Sequence, residues 1–317
     1  MSNQGLRICV ESGPRNNEHD TMWFRNLQYY RLSRFEISAE MLQAALADHA
    51  LQPVSGGQTQ HLGWLPPKGD HHPYAHQYGQ QRLLSLGVER KLLPAGVINQ
   101  FVKARAVELE EQQGFKPGRK QLKQLKEAVT DELLPRAFAL RRSTWGWIDP
   151  EGRWLAVDAG SLAKADEFIG MLMKTVDGLV LKETKTQLSP SGAMTQWLAS
   201  GEAPAGFTLD DICELRGSGD GKSSVRYTGD IPEAGEIRKH IESGKQVTKL
   251  ALTWRDKISF VLDEHGQIKR LRPLDVLTEQ ADADDEVFDS DFALMSGELG
   301  KLLTDLVSAL GGETESP

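Results

Sequence analysis

Two rhythms run along this chain: alternation of apolar and polar residues with period two, and recurrence of apolar residues every three to four positions. In QVTKLALTW, Thr248, Leu250, Leu252 and Trp254 fall on one side of an extended strand, and Val247, Lys249, Ala251 and Thr253 on the other. The first side predicts a buried face, and the second an open sheet surface able to carry charge. KISFVLD and QIKRLR follow after short turns, which completes a three-stranded antiparallel meander. Further strands are predicted in MWFRNLQYYRL, HLGWLPP and QRLLSLGVERK, the last two around a loop rich in Pro and His. TWGWID, the turn PEG and RWLAVDA form a hairpin, and FTLDDICELR and SVRYTGD form two strands joined by a glycine-rich loop.

The helical rhythm appears in AEMLQAALADHA behind Ser38, in GVINQFVKARAVELEEQQ behind Pro94, and in LAKADEFIGMLMKTV behind Ser161. KPG breaks the second of these, and another helix follows to about Leu134. AMTQWLAS, PEAGEIRKHIE and the stretch from about Phe288 to Leu310 are also helical. Hairpins mix with helices rather than alternating strictly with them, so the fold class is α+β, with antiparallel sheets and packed helices. The order divides into residues 22–142, an N-terminal region; 143–245, a middle region; 246–312, a C-terminal meander and helix; and 313–317, a tail. Residues 1–21 are polar and aperiodic. They are expected to be disordered, or to follow from an upstream start with Met22 as the functional beginning.

The chain has 37 Lys plus Arg against 45 Asp plus Glu, a net charge of −8. That sum conceals a division. Between Leu274 and Gly300 there is no Lys or Arg, and the window holds Asp275, Glu279, Asp282, Asp284, Asp285, Glu286, Asp289, Asp291 and Glu298. Subtracting those nine from 45 leaves 36 acids against 37 bases, so basic surfaces have room elsewhere. The stretch KPGRKQLKQLK is the most marked of them, with Lys116, Arg119, Lys120, Lys123 and Lys126 and no acid. Lys116, Lys120 and Lys123 are placed on one helix face, with Arg119 and Lys126 flanking and Leu122, Leu125, Val129 and Leu133 as a separate apolar stripe. Such a ridge suits phosphate, although a plain solvated face has the same composition. Lys249, Arg255, Lys257, Lys269, Arg270 and Arg272 make a second basic set in the meander. Ordinary edge lysines are its plainer explanation.

Other motifs recede on inspection. LRGSGDGKSS departs from the phosphate-binding loop, because Arg216 stands where the first glycine belongs and a strand follows instead of a helix. His61, His71, His72 and His76 match no zinc spacing. ADADDEVFDSD lacks the glycine of a calcium loop and reads as a solvated acidic segment. Only Cys9 and Cys213 are present, without CxxC, which argues against a disulfide framework and for a reducing, cytoplasmic compartment. No apolar run approaches the roughly 18 residues of a membrane span, and no nucleophile arrangement points to an enzyme. No cofactor or metal is expected.

From Met22 to about Gly312 the chain resembles the RdgC family of bacterial recombination-associated proteins. The resemblance lies in MWFRNLQYYRLSR, GWLPP, LLPRAF, WID, HIESGKQVTKLALTW, QIKRL, and DFALMSGELGKLL followed by LGGE. It implies a ring-shaped homodimer with a basic hole wide enough for duplex DNA. It further implies DNA binding with little sequence preference, association with the nucleoid, and restraint of the RecA recombinase through occupation of its DNA. Double-stranded DNA is the expected partner, with single-stranded DNA left open as an addition. On this resemblance LLPRAF lies near a contact between subunits, which makes Phe138 an expected interface residue. Two rival readings stay open: a metal-dependent enzyme acting on DNA through ADADDEVFDSD, and a protein-interaction scaffold.

Overall fold

Strand β11, Lys245–Trp254, is central because it is flanked on both edges and covered on both faces. In a computed structural model, which describes residues 10–11, 22–217, 223–229, 234–278 and 287–314, the chain forms two compact units from interleaved stretches. One unit comprises Met1–Asp20, Leu46–Leu65 and Leu86–Ser143; the other comprises Thr21–Ala45, Pro66–Ser85 and Thr144–Pro317. Both mix strands and helices, so the chain is α+β.

The larger unit carries an antiparallel sheet. Its strands run β10 (Ser224–Thr228), β9 (Phe207–Gly217), β11, β12 (Ile258–Asp263), β13 (Ile268–Pro273), β2 (Leu27–Arg34), β7 (Trp154–Asp158) and β6 (Ala139–Asp149, by residues 144–149). β8 (Val180–Glu183) adds to β2. Trp254, Phe260, Leu262 and Ile268 of the sheet join Met194 of α5 (Pro190–Ser200) and Phe292, Leu299 and Leu303 of α8 (Val287–Ala309) in one buried core. α4 (Leu162–Thr175) packs on β7. Its Phe168 lies where a Cβ on Gly146 would reach, 2.2 Å from the ring, so the glycine of TWGWID lets helix and strand approach.

The second face of β11 is not the open charged surface expected from its alternation. Val247, Ala251 and Thr253 are buried, and only Lys249 reaches outward. For Val247 the local feature is a bulge between Val247 and Lys249 on the β9 side. It turns the Val247 backbone to α5, where its N–H donates to Thr195 Oγ1 at 3.0 Å and its carbonyl accepts from Ser191 Oγ at 2.7 Å. The Pro/His-rich stretch likewise contains a strand that the pattern missed. β4 (Ala75–Tyr78) pairs with the start of β5 (Gln81–Lys91) through a two-residue turn in which Gly79 has φ 57.

The smaller unit holds β3 (Gln60–Leu65), residues 86–91 of β5, residues 139–143 of β6, and a helical hairpin of α2 (Ala95–Gln113) and α3 (Arg119–Leu133). Within residues 1–21, Val10–Glu11 form a short strand, β1, parallel to β6; the expected disorder of the other residues there lies outside the described residues. α1 (Ala39–Asp48) begins at Ser38, whose Oγ accepts from Met41 N–H at 3.2 Å as predicted for a cap. Among the described residues α6 (Ala234–Glu242) and the single-turn α7 (Asp275–Thr278) complete the α-helices. Among the described residues no helix is long and apolar enough to cross a membrane.

Candidate nucleic-acid interface

The hairpin α2–α3 is set by its turn residues. Gly114 adopts φ 80 and donates to Glu110 O at 2.8 Å, which closes α2. Lys116, Pro117 and Gly118 then reverse the chain, and Gln121 accepts from Gly118 N–H at 3.0 Å to open α3. Two side-chain bridges tie the helices together: Gln121 to Gln113 at 3.0 Å, and Arg105 to Glu132 at 3.1 Å. Val129 is buried and Leu125 and Leu133 are partly covered, while Leu122 is exposed at the edge of the stripe.

The basic ridge survives in this geometry with one correction. Lys116 does not share the helix face, because α3 starts at Arg119 and Lys116 lies in the preceding extended linker. At 100° per residue, Arg119, Lys123 and Lys126 occupy an arc of about 60°, and Lys120 extends it. All are exposed. Lys123 has a loose partner in Glu127 at 3.8 Å. Among the described residues no carboxylate stands within ion-pair distance of Lys116, Arg119, Lys120 or Lys126.

The meander set is different. Lys249 pairs with Glu214 at 2.8 Å, Lys257 with Glu298 at 3.1 Å, Arg255 with Asp305 at 2.8 Å, and Lys269 with Asp263 at 3.4 Å. The Glu214 carboxyl is held below its usual range by the hydrogen bond from Lys249, against a burial effect, with help from Arg216. At Glu298 burial pushes upward, but hydrogen bonds from Lys301 and Lys257 outweigh it and the net direction is downward. Four of the six bases therefore have their charge offset by an acid. Arg270, with φ 53, and Arg272 are exposed, and no carboxylate is within ion-pair distance among the described residues.

Two further bases, Arg90 and Arg142, lie outside the basic runs of the sequence, each as one of a basic pair within an apolar strand. Leu92 N–H donates to Phe138 O at 2.7 Å, and Arg141 pairs with Glu89 at 3.0 Å, which fixes the register of β5 on β6. Arg90 and Arg142 then project from the opposite side of those strands, and both are exposed. Phe138 follows a short 3-10 turn, Leu134–Arg136, and is 64% exposed. Leu92, its backbone partner, is 49% exposed, so two apolar side chains are uncovered together.

Among the described residues no group of three or more His, Cys, Asp or Glu side chains could hold a metal ion. The glycine-rich loop Ser218–Lys222 and acidic residues 279–286 lie outside the described residues.

A family model described as "Putative exonuclease, RdgC" matches residues 22–313. Curated relatives include the Recombination-associated protein RdgC of Janthinobacterium sp. (strain Marseille), 56% identical over 299 residues, which spans 93% of this chain and 99% of the relative. The protein of the same description from Herminiimonas arsenicoxydans is 55% identical over 297 residues, spanning 92% and 99%. That from Burkholderia cenocepacia is 52% identical over 299 residues, spanning 93% and 97%.

Proposed function

The chain belongs to the RdgC family of recombination-associated proteins, and from that premise we propose that it binds double-stranded DNA without sequence preference as a ring-shaped homodimer. By occupying DNA it limits access of the RecA recombinase, in the cytoplasm and at the nucleoid. It acts without catalysis or cofactor. Single-stranded DNA is a weaker partner, because few aromatic rings accompany the basic run and base stacking contributes little.

The observation that carries this reading is the unpaired charge of α3. Arg119, Lys120 and Lys126 repel one another on an exposed helix, and an anion that neutralises them removes that cost and releases counterions. Gel-shift titration of unrelated duplexes at two salt concentrations tests it. Equal affinities that fall steeply with salt are expected, and sequence-selective or salt-insensitive binding would sink it. The family description carries the rival reading, a nuclease. Incubation with duplex and single-stranded DNA plus Mg²⁺ separates the two, since progressive loss of nucleotides from an end would favour the enzyme.

A further inference from the structure

Asp291 lies near the start of α8 with 5% of its surface exposed, and its Oδ2 accepts from the main-chain nitrogen of Met22 at 3.3 Å. Two residues on, the Phe24 nitrogen points at Met295 Sδ at 3.4 Å. Residues 22–24 thus follow α8 for a helical turn, and Met22, Trp23 and Phe24 are all buried. Among the described residues the Met22 N–H is the one hydrogen-bond donor to the Asp291 carboxylate.

A neutral amide is a poor match for a buried carboxylate, which ordinarily has a cation beside it. Burial pushes the Asp291 carboxyl above its usual range, and only the Met22 bond opposes this. Lys68, which reaches the start of α8, pairs with Asp289 at 2.7 Å. Among the described residues no Lys, Arg or His forms an ion pair with Asp291, and the position of the Met22 nitrogen offers a source of positive charge. The family match begins at residue 22, and the Janthinobacterium relative is matched over 99% of its own length by 93% of this chain.

We propose that Asp291 is a binding site for an amino terminus: in a chain that starts at Met22, the α-ammonium of that residue pairs with the Asp291 carboxylate and locks the first residues onto α8. An ammonium brings a full charge and three donors where an internal amide brings one donor and none of the charge. An acyl group on that nitrogen removes the charge and opens the lock.

The test is a thermal-unfolding cycle at neutral pH on the full chain and on the chain starting at Met22, each with Asp291 and with Asp291→Asn. In the Met22 chain the substitution removes the ion pair, and the melting temperature should fall by about 3–8 °C. In the full chain asparagine accepts from the same amide without a buried charge, so the melting temperature should hold or rise. Acetylation of the Met22 amine should reproduce the loss seen with Asp291→Asn. Shifts that agree within about 1 °C in the two chains would overturn the proposal, as would failure of the Met22 chain to fold with Asp291 intact.

Discussion

Lys249 donates from Nζ to Glu214 Oε2 at 2.8 Å across neighbouring strands, while Arg216 Nε donates to the other carboxylate oxygen at 2.8 Å. Glu214 is 8% exposed, so the lysine serves a nearly buried anion before it serves any ligand. Lys249→Ala should therefore cost stability, about 1–2 kcal/mol with Arg216 still in place, and should change DNA affinity less than substitutions on α3. Urea denaturation and a gel shift on the same variant check both halves. A large affinity loss with unchanged stability would show that Lys249 faces DNA instead.

His76 predicts a stability change on mild acidification. It sits on β4, 7% exposed, edge-on to Phe288 at 5.0 Å and Phe292 at 5.6 Å between centroids. Its Nε2 is 3.2 Å from Asp289 Oδ1 but makes no aligned hydrogen bond. Burial lowers its pKa from 6.5, Asp289 opposes this, and Lys68 and His72 add to the lowering. A base with a depressed folded pKa binds its proton more readily in the unfolded chain. Its contribution is thus complete above pH about 6.5 and is lost as pH falls through the lower folded value. The carboxylates held low, Glu214 and Glu298, titrate below that window. Melting curves between about pH 7 and 5 should show a decline that His76→Gln reduces; an identical decline in both proteins would refute the assignment.

The elements with strong periodicity were legible in the sequence, and what escaped it was partnership. α3 and α8 follow from repeats of three to four residues, and β11 to β13 from alternation and short turns. Spacing alone puts Lys116 on the helix face, although Pro117 and Gly118 hold it in the linker. The second side of β11 looked open because Ser191 and Thr195, which cover its bulge, are some fifty residues away in the chain. Charge counts were equally blind to Glu298 and Asp305, which α8 returns to Lys257 and Arg255. A basic run tells how many charges exist, and only packing tells how many are left unpaired.

Phe138 offers a test of assembly separate from DNA. The residue is 64% exposed, beside an exposed Leu92, so Phe138→Asp should leave the protomer folded. If the ring is covered by a second copy, the aspartate would be buried without a partner at a cost of about 3 kcal/mol, roughly a hundredfold weaker dimer. Sedimentation velocity over a concentration series reads this directly. An unchanged dimer constant would remove Phe138 from the interface.

The arc on α3 gives the sharpest test of the DNA reading. Arg119, Lys123 and Lys126 lie close together on one side of the helix, and replacing all three with alanine leaves Leu125, Val129 and Leu133 untouched. Alanine favours helix, so circular dichroism and melting temperature should barely change. If each base neutralises a phosphate, log K loses about 0.9 of its salt slope per contact, and the triple variant should lose up to about 2.7. The affinity loss should be the same on every duplex, because phosphates carry no sequence. Lys116→Ala, in the linker rather than on the arc, should cost at most one such increment. A parallel variant at Lys249 and Lys257, whose charges are already matched by Glu214 and Glu298, should keep nearly the full slope. The opposite ranking, with slope retained by the α3 variant and lost by the β11–β12 pair, would mean that the α3 ridge is a solvated face and that DNA is held by the meander.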